Sequence, residues 1–286
     1  MSHDRIYQRL REHLAYLKLT SAAEALAPKL DAAQRHKPSY TAFLEDLLRT
    51  EVEATQRRRL AGRLRFAHFP VIKRLEDFDF DAQPALDRAL VEDLATLRFV
   101  EEKANVLMVG PPGVGKTMLA LALGYRAVEA GYRVYYTTAA DLIARCHKAA
   151  IEGRWSTTMR FFAGPQLLIC DELGYLPLPA EGAAAIFQVV SRRAEQGSMI
   201  VTTNRSIASW GEIFTDSMMA AAILDRFLFR ATLLAINGDS YRMRAHRERL
   251  QQLREGGRHS EAVGYAGSRV GNFDERLWEI SVSAVN

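Results

Sequence analysis

Cysteine is scarce in this chain, and long apolar runs are missing from it. Only two cysteines occur among 286 residues, so a disulfide framework is excluded in practice. One of them, Cys170, lies in the apolar run LLIC, which is typical of a buried strand. No Cys/His spacing indicates a metal cage, and no stretch approaches the roughly 18 apolar residues of a membrane-spanning helix.

An apolar leader is also missing from the start of the chain. The first residues, MSHDRIYQRLREHL, carry charges where a signal peptide needs an apolar segment. The hydrophobic fraction of 48% and the charged fraction of 25% are ordinary for a soluble globular protein. We therefore expect a cytoplasmic protein without a membrane partner.

The net charge is only +4, but it is unevenly distributed. Residues 1–65 contain 13 Lys and Arg against 8 Asp and Glu, residues 66–240 contain 17 against 20, and residues 241–286 contain 8 against 6. The densest basic segment, QRRRLAGRLR, contains Arg57, Arg58, Arg59, Arg63 and Arg65. A solvated helix face is one interpretation of this segment, and a surface that contacts DNA phosphates is the other.

The first 66 residues have the apolar spacing of helices. Ile6, Leu10, Leu14 and Leu17 recur at steps of four, four and three, which places them on one helix face. A second helix is predicted from Thr20 or Ser21, with Pro28 expected to interrupt or kink it. A long helix is predicted from about Tyr40. Its expected buried side consists of Phe43, Leu44, Leu47, Leu48 and Val52.

These helices are interpreted as a small helical domain over residues 1–66. Residues 67–104 are interpreted as a linker together with the first helix of the module that follows. Residues 246–286 are polar at first and are expected to form a C-terminal tail.

Residues 105–245 alternate short apolar strands with helices. The five strand candidates are NVLMVG, RVYYTT, LLICDE, MIVTTN and ATLLAI. Strands that are apolar on both faces belong to a parallel sheet covered by helices. The fold class predicted for this region is therefore α/β with a five-stranded parallel sheet.

The first of these strands is followed by GPPGVGKTM, which fits the phosphate-binding pattern G-x-x-x-x-G-K-[ST]. Glycines let backbone amides turn inward around phosphates, the lysine reaches the β and γ oxygens, and the threonine hydroxyl takes one Mg²⁺ position. ATP and Mg²⁺ are the predicted cofactors. The residues expected to hold the nucleotide are Gly110, Pro111, Pro112, Gly113, Val114, Gly115, Lys116, Thr117 and Met118.

The acidic end of LLICDE is expected to complete the site. Asp171 would hold Mg²⁺ through water, together with Thr117, and the adjacent Glu172 would polarise the attacking water. MIVTTN ends at the same edge of the sheet, so Asn204 is expected to orient this water, with Thr203 as the second choice. The Asp-Glu pair favours hydrolysis over phosphate transfer to a small substrate.

Arg226 follows an acid on an apolar helix, and two roles remain open for it. It could pair with Asp225, or it could reach a nucleotide in a neighbouring subunit as an arginine finger. Spacing in the sequence does not decide between them.

Taken together, these segments resemble the AAA+ ATPases, and within them the IstB/DnaC branch of transposition helpers and helicase loaders. The resemblance extends to about residue 245. It rests on GPPGVGKT, LLICDELGYLPL, VTTNRSIASWGEIFTD, AAILDRFLFR, INGDSYRMR and FLEDLLRTEVEATQRRRLAGRLRFAHFP. LGYLPL and WGEIF favour the IstB side of the branch.

The resemblance implies an AAA+ P-loop NTPase core in which the MIVTT strand lies between the loop strand and the acidic strand. It implies a homo-oligomer with ATP between subunits, Arg226 acting in trans and Arg242 as a candidate second sensor. It also implies assembly on duplex DNA, deformation of that DNA, and activation of a transposase of the same element. Hydrolysis would then drive disassembly.

Three other functions compete with this hypothesis. A DnaC-type loader would use the N-terminal helices to grip a replicative helicase. A small-molecule P-loop kinase would need a substrate-binding lid, for which the sequence offers basic helices instead. A scaffold that binds ATP without hydrolysing it is disfavoured by Glu172.

Overall fold

The protein is described here by a computed structural model, which covers residues 3–175, 178–194, 196–214 and 216–243. The chain up to Tyr241 forms one compact unit, and Arg242 begins a second. The predicted tail, 246–286, lies outside the described residues. None of the helices in the described part of the chain is long and apolar enough to cross a membrane.

Three helices open the chain, as the apolar spacing predicted. They are α1 (His3–Tyr16), α2 (Thr20–His36) and α3 (Tyr40–Ala67). Ser39 caps α3, since its hydroxyl accepts a hydrogen bond from the Ala42 amide at 3.2 Å. The expectation for Pro28 was wrong in one respect, because α2 continues through it. A single proline removes one amide donor from a helix, and the packing of α2 against α3 can offset that loss.

The predicted buried faces of α1 and α3 are largely solvent-exposed. Leu14, Ala22, Leu26 and Leu47 form the only core cluster found among the described residues of α1 to α3 that is separate from the sheet. The exposed residues are Ile6, Leu10 and Leu17 of the apolar face of α1, and Leu44, Leu48 and Val52 of the predicted buried side of α3. The expected burial of the α3 side was wrong for these residues. Apolar periodicity shows which face of a helix favours burial, but three packed helices cover only part of each apolar face.

A buried carboxylate joins α2 to α3. Glu51 is 5% exposed and accepts a hydrogen bond from the Ala22 amide at 3.0 Å. Arg58 donates to the same carboxylate at 2.6 Å. The Ala22 amide is the main cause that lowers the pKa of Glu51, and Arg58 adds to it. The carboxylate therefore satisfies backbone donors at the start of α2.

Five strands form one parallel sheet, as predicted. The strands are β1 (Asn105–Val109), β2 (Val134–Thr138), β3 (Leu167–Leu173), β4 (Ser198–Thr203) and β5 (Ala231–Ala235). Their order is β2-β3-β4-β1-β5, and all pairs are parallel. Strand β4 thus lies between the loop strand β1 and the acidic strand β3, which confirms the implied order.

Helices cover both faces of the sheet. The helices of this module are α4 (Arg88–Ala95), α5 (Arg98–Glu101), α6 (Lys116–Glu129), α7 (Ala139–Ile151), α8 (Trp155–Ala163), α9 (Ala180–Arg193), α10 (Trp210–Phe214) and α11 (Ser217–Leu228). Alternate residues of β1 enter different clusters, with Val106 and Met108 in one and Leu107 in the other. This two-sided burial explains why the strands are apolar without alternation.

The end of α3 packs against the sheet module. Ala67 is fully buried in the core cluster that contains Val106, and Leu60 and Leu64 pack against this cluster. The ring of Phe66 lies 5.8 Å from that of Tyr135 on β2. A single helix therefore links the small N-terminal cluster to the core that carries the phosphate loop.

Candidate nucleotide site

The phosphate-binding loop connects the carboxyl end of β1 to the first turn of α6. Gly113 and Gly115 have φ values of +85° and +104°, which favour glycine. A Cβ atom on Gly115 would lie 2.7 Å from the ring of Phe78, so this position requires glycine for space as well. The loop backbone is thus free to turn its amides toward a phosphate at the start of α6.

Lys116 is the buried cation of this loop. It is 5% exposed, and its Nζ donates to the carbonyl oxygens of Gly110 at 2.7 Å and Pro111 at 2.8 Å. The ammonium group is therefore held against the loop backbone. This placement fits the predicted contact with the β- and γ-phosphates of a nucleotide.

Two segments outside the glycine-rich motif contact the loop. Phe78 lies over Gly115, and the Tyr241 amide donates to the Gly113 carbonyl at 3.0 Å. Between them, the Gln83 side chain donates to the Asp239 carbonyl at 3.0 Å. Sequence reasoning had assigned Phe78 to a linker and had singled out only Arg242 from the other segment, so the contacts of Phe78 and Tyr241 with the loop are visible only in the folded chain.

Asp171 is buried at the carboxyl end of β3 and is surrounded by hydroxyl groups. It is 1% exposed and accepts hydrogen bonds from Thr117 at 3.1 Å, from Tyr136 at 2.9 Å and from Thr202. The structure therefore brings together the two predicted metal ligands, Thr117 and Asp171. Hard oxygen donors of this kind suit Mg²⁺, which needs few protein ligands when phosphates and waters supply the others.

Tyr136 and Thr202 were not singled out from the sequence. Tyr136 lies on β2 and Thr202 on β4, so Asp171 is contacted from both neighbouring strands. Burial raises the pKa of Tyr136, and the charge of Asp171 raises it further, so the phenol remains a donor at neutral pH. The polar residues in YYTT and VTTN indicated that hydroxyl groups lie near the acidic strand. Which of them face Asp171 depends on strand register, which the sequence does not show.

Glu172 sits at a β-bulge. Cys170 pairs with Val201 and Leu173 with Thr203, so two residues of β3, Asp171 and Glu172, oppose a single residue of β4. Glu172 has a φ of +63° and is exposed, whereas Asp171 is buried. A non-glycine residue in this region carries a strain of about 1–3 kcal/mol, which the surrounding structure must offset.

Asn204 follows β4 directly and has an unsatisfied side chain. Its Oδ1 atom is buried without a hydrogen-bond partner among the described residues. The hydroxyl of Thr203 instead accepts a bond from the Arg205 amide at 3.1 Å, and its carbonyl accepts one from the Gly110 amide at 3.2 Å. Of the two candidates for orienting the water, Asn204 is therefore the one whose side-chain oxygen can still accept a hydrogen bond next to the loop.

Arg226 lies at the other end of the sheet. The carbonyl of Phe227 accepts a hydrogen bond at 2.9 Å from the side chain of Asn105, the first residue of β1. The phosphate loop leaves the opposite end of this strand, about 13 Å away at ~3.3 Å per residue. Arg226 donates to the Ser191 hydroxyl, lies 4.8 Å from the ring of Phe187, and forms no ion pair with Asp225 within the described residues.

The five arginines predicted to contact DNA do not share one face of α3. Successive residues of an α-helix are rotated by about 100°, so the set extends around most of the helix. Arg58 is engaged by Glu51, and Arg63 donates to the Val128 carbonyl at 3.1 Å. No hydrogen bond or ion pair within the described residues engages the other three, which are Arg57, Arg59 and Arg65.

Arg242 falls in the second unit of the chain. Its suggested role as a second sensor therefore remains a prediction.

A five-stranded parallel sheet in this order, with a phosphate loop after β1 and two acids at the carboxyl end of β3, defines an AAA+ P-loop ATPase fold. The AMPPCP-bound structure of DnaA from Aquifex aeolicus shares it, with a TM-score of 0.51 and 19% identity over 64% of this chain and 56% of that one. At this identity the similarity shows the fold alone.

Sequence similarity identifies the family. The family model described as "IstB-like ATP binding protein" matches residues 12–249. A Geobacillus stearothermophilus protein named for insertion sequence IS5376 and for ATP binding is 39% identical over 87% of this chain and 98% of its own length. A Pseudomonas aeruginosa protein named for IS21 is 42% identical over 82% and 89%. The chain belongs to the IstB-like ATP-binding proteins of insertion sequences. ATP is the ligand named in the description of this family.

Proposed function

We propose that this protein is a DNA-binding ATPase that regulates the transposition of an insertion sequence. ATP joins its subunits on duplex target DNA, the assembly deforms the DNA and activates the transposase of the same element, and hydrolysis releases it. The observation that carries the proposal is the separation of Arg226 from the loop of its own chain. A hydrolytic site that needs this arginine is completed only by a second copy of the chain.

Hydrolysis follows from the groups around the loop. Loop amides and Lys116 bind the phosphates, while Thr117 and Asp171 would hold Mg²⁺, which neutralises charge on the transferred phosphoryl group. Glu172 accepts hydrogen bonds from the attacking water and polarises it. The side-chain oxygen of Asn204 accepts a hydrogen bond from the same water and orients it against the γ-phosphate, since this Oδ1 atom has no other partner among the described residues.

Arg226 is proposed to act in trans as an arginine finger. It is exposed, and it is oriented by Ser191 and the ring of Phe187, both on α9. An arginine that lies against an aromatic ring keeps its charge and loses little side-chain entropy when it meets a phosphate. The amino ends of the strands would therefore face the nucleotide of the neighbouring subunit.

Mixing two inactive variants should restore hydrolysis. Arg226→Ala keeps an intact loop but lacks the finger, whereas Lys116→Ala keeps the finger but lacks the loop lysine. At a mixed interface the intact loop meets the intact finger, so activity should reappear at intermediate ratios and peak near equal amounts. An arginine finger contributes ~10³- to 10⁵-fold to the rate, so partial recovery is measurable by phosphate release.

The control is Arg226→Ala mixed with the double variant that carries Lys116→Ala and Arg226→Ala. This mixture contains no finger and should stay inactive at every ratio. Equal activity in both mixtures, or none in either, would contradict action in trans.

Duplex DNA is the proposed polymer partner. Arg57, Arg59 and Arg65 are exposed and free of intramolecular polar partners in the described part of the chain. They bind phosphates without reading bases, because no base-reading motif accompanies them. Such contacts are consistent with a protein that selects its DNA target site by the shape of the DNA or through a partner protein. A transposase is the proposed protein partner, because the relatives are named for insertion sequences.

Removing two of these charges should weaken the salt dependence of DNA binding. The double variant Arg57→Gln, Arg59→Gln should lower the slope of log K against log salt by about 1.8, since each neutralised phosphate contributes about 0.9. The matched control, Arg35→Gln with Lys37→Gln, removes the same charge from the end of α2 and should keep the wild-type slope. Binding is measured by fluorescence anisotropy with ATP and a labelled duplex of arbitrary sequence.

ATP hydrolysis is followed in the same samples without DNA, with duplex, and with duplex plus the transposase. The wild-type rate should rise at each step. A rate that is equal in all three, together with no ATP-dependent DNA binding, would refute the proposed function.

A further inference from the structure

Thr202 connects the two acidic residues of the candidate site. Its hydroxyl donates to Asp171 Oδ1 and accepts a hydrogen bond from the backbone amide of Glu172 at 3.0 Å. It is 1% exposed, so solvent does not compete for these bonds. One side chain on β4 thus holds the predicted metal ligand and the backbone of the predicted water-activating residue together.

The β-bulge makes such a connection necessary. Two residues of β3 oppose Thr202 alone, so the regular ladder cannot provide a partner for both. The amide of Glu172 bonds the Thr202 side chain instead of a β4 backbone carbonyl. This bond fixes Glu172 in its left-handed conformation, with a φ of +63°. The same hydroxyl donates its proton to the carboxylate of Asp171, so one group binds both acidic residues.

Other buried hydroxyl groups of the sheet make different contacts. Thr137 on β2 donates to the carbonyl of its neighbour Thr138 at 3.1 Å. Ser198, at the other end of β4, donates to the Phe99 carbonyl at 2.9 Å. These bonds satisfy backbone groups only. The Thr202 hydroxyl is distinguished by its contacts with the two residues that the proposed hydrolysis uses.

We propose that Thr202 is a positioning residue of the ATPase site, which sets the Asp171 carboxylate for Mg²⁺ and the Glu172 backbone for water activation through one hydroxyl group. The part of this inference that concerns Glu172 rests on the proposed function, because it assumes that Glu172 activates the attacking water. Its claim about Asp171 concerns Mg²⁺-dependent nucleotide binding and can be tested without turnover. Tyr136 supports the same carboxylate through its other oxygen at 2.9 Å.

The test compares Thr202→Val with Thr202→Ser. Valine keeps the branched shape but removes the hydroxyl, whereas serine keeps the hydroxyl. Loss of a partner of a metal-binding carboxylate typically costs ~10- to 100-fold in metal affinity or activity. Thr202→Val should therefore lower kcat by about this factor with little change in KM for ATP, and Thr202→Ser should recover most of it.

A second readout does not depend on hydrolysis. Binding of a fluorescent, non-hydrolysable ATP analogue is titrated with Mg²⁺, and Thr202→Val should need ~10- to 100-fold more Mg²⁺ for half-saturation. The control is Thr137→Val, which removes a buried hydroxyl from the neighbouring part of the sheet and should leave both readouts at the wild-type level. Thermal unfolding of each variant confirms that the fold is retained, and Thr202→Ala replaces Thr202→Val if the valine does not fold.

The outcomes separate the two proposals. If wild-type protein hydrolyses no ATP under any condition, the proposed function fails, while the Mg²⁺ titration still decides the role of Thr202. If Thr202→Val matches Thr137→Val in both readouts, or if Thr202→Ser recovers neither, the positioning role is refuted.

Discussion

Lys116→Ala should strongly weaken ATP binding and, with it, ATP-dependent assembly on DNA. The ammonium group is buried and already held within the loop by the Gly110 and Pro111 carbonyls. A hydrogen bond to a charged group contributes about 1.5–3 kcal/mol, and the lysine is expected to bond two phosphates. We therefore expect the Kd for ATP to rise by on the order of 100-fold or more. Isothermal titration calorimetry measures this directly.

The matched control is Lys148→Ala. Lys148 lies on α7, is exposed and pairs only with Glu152 at 4.0 Å among the described residues, so its loss should leave the Kd unchanged. A Lys116→Ala protein that binds ATP and DNA as the wild type does would show that this loop is not the nucleotide switch.

Glu172→Gln should separate ATP binding from hydrolysis. Glutamine has nearly the same shape and keeps the backbone bond to Thr202, but it cannot polarise the attacking water. General-base catalysis contributes typically 10²- to 10⁴-fold, so the rate of a single turnover should fall by about that factor while the Kd for ATP remains near the wild-type value. Because hydrolysis opens the subunit interfaces in the proposed cycle, this variant should stay assembled on duplex DNA after wild-type protein has dissociated.

Rapid quench with labelled ATP measures the turnover, and the lifetime of the DNA complex is followed after dilution into unlabelled duplex. Glu181→Gln removes an exposed carboxylate from the first turn of α9 and serves as the control. A Glu172→Gln complex that dissociates as fast as the wild-type complex would contradict the proposed coupling between hydrolysis and release.

The loop and the sheet were readable from the sequence because their signals are local. A glycine-rich loop needs its glycines, lysine and threonine at fixed spacing, and a two-sided buried strand must be apolar throughout. All five predicted strands occur within one residue of their predicted positions. The position of β4 between β1 and β3 followed only from the family resemblance, since strand order depends on contacts between distant segments.

The N-terminal helices show where local reasoning fails. Periodicity correctly predicted helices α1 to α3, but it did not predict which apolar residues would be covered. Leu47 is buried, whereas Leu44 and Leu48, each within one turn of it, are exposed. Coverage depends on the crossing of α2 over α3 and on helix length, neither of which is visible in the spacing. Similarly, the spacing of the arginines gave no sign that Arg58 bonds the buried Glu51, and its predicted contact with DNA stays a prediction.

The amino-acid sequence by itself determined the family, the phosphate loop and the acidic pair at the end of β3, because each depends on residue types at short, fixed separations. Only the tertiary structure decided that Tyr136 and Thr202 meet at Asp171, that a bulge places Glu172 in a left-handed conformation, and that Arg226 lies at the far end of β1 from its own loop. These relations arise from strand register and from the path of the chain across the sheet. Residues far apart in sequence are brought together by the burial of the whole core, and no local pattern encodes that outcome.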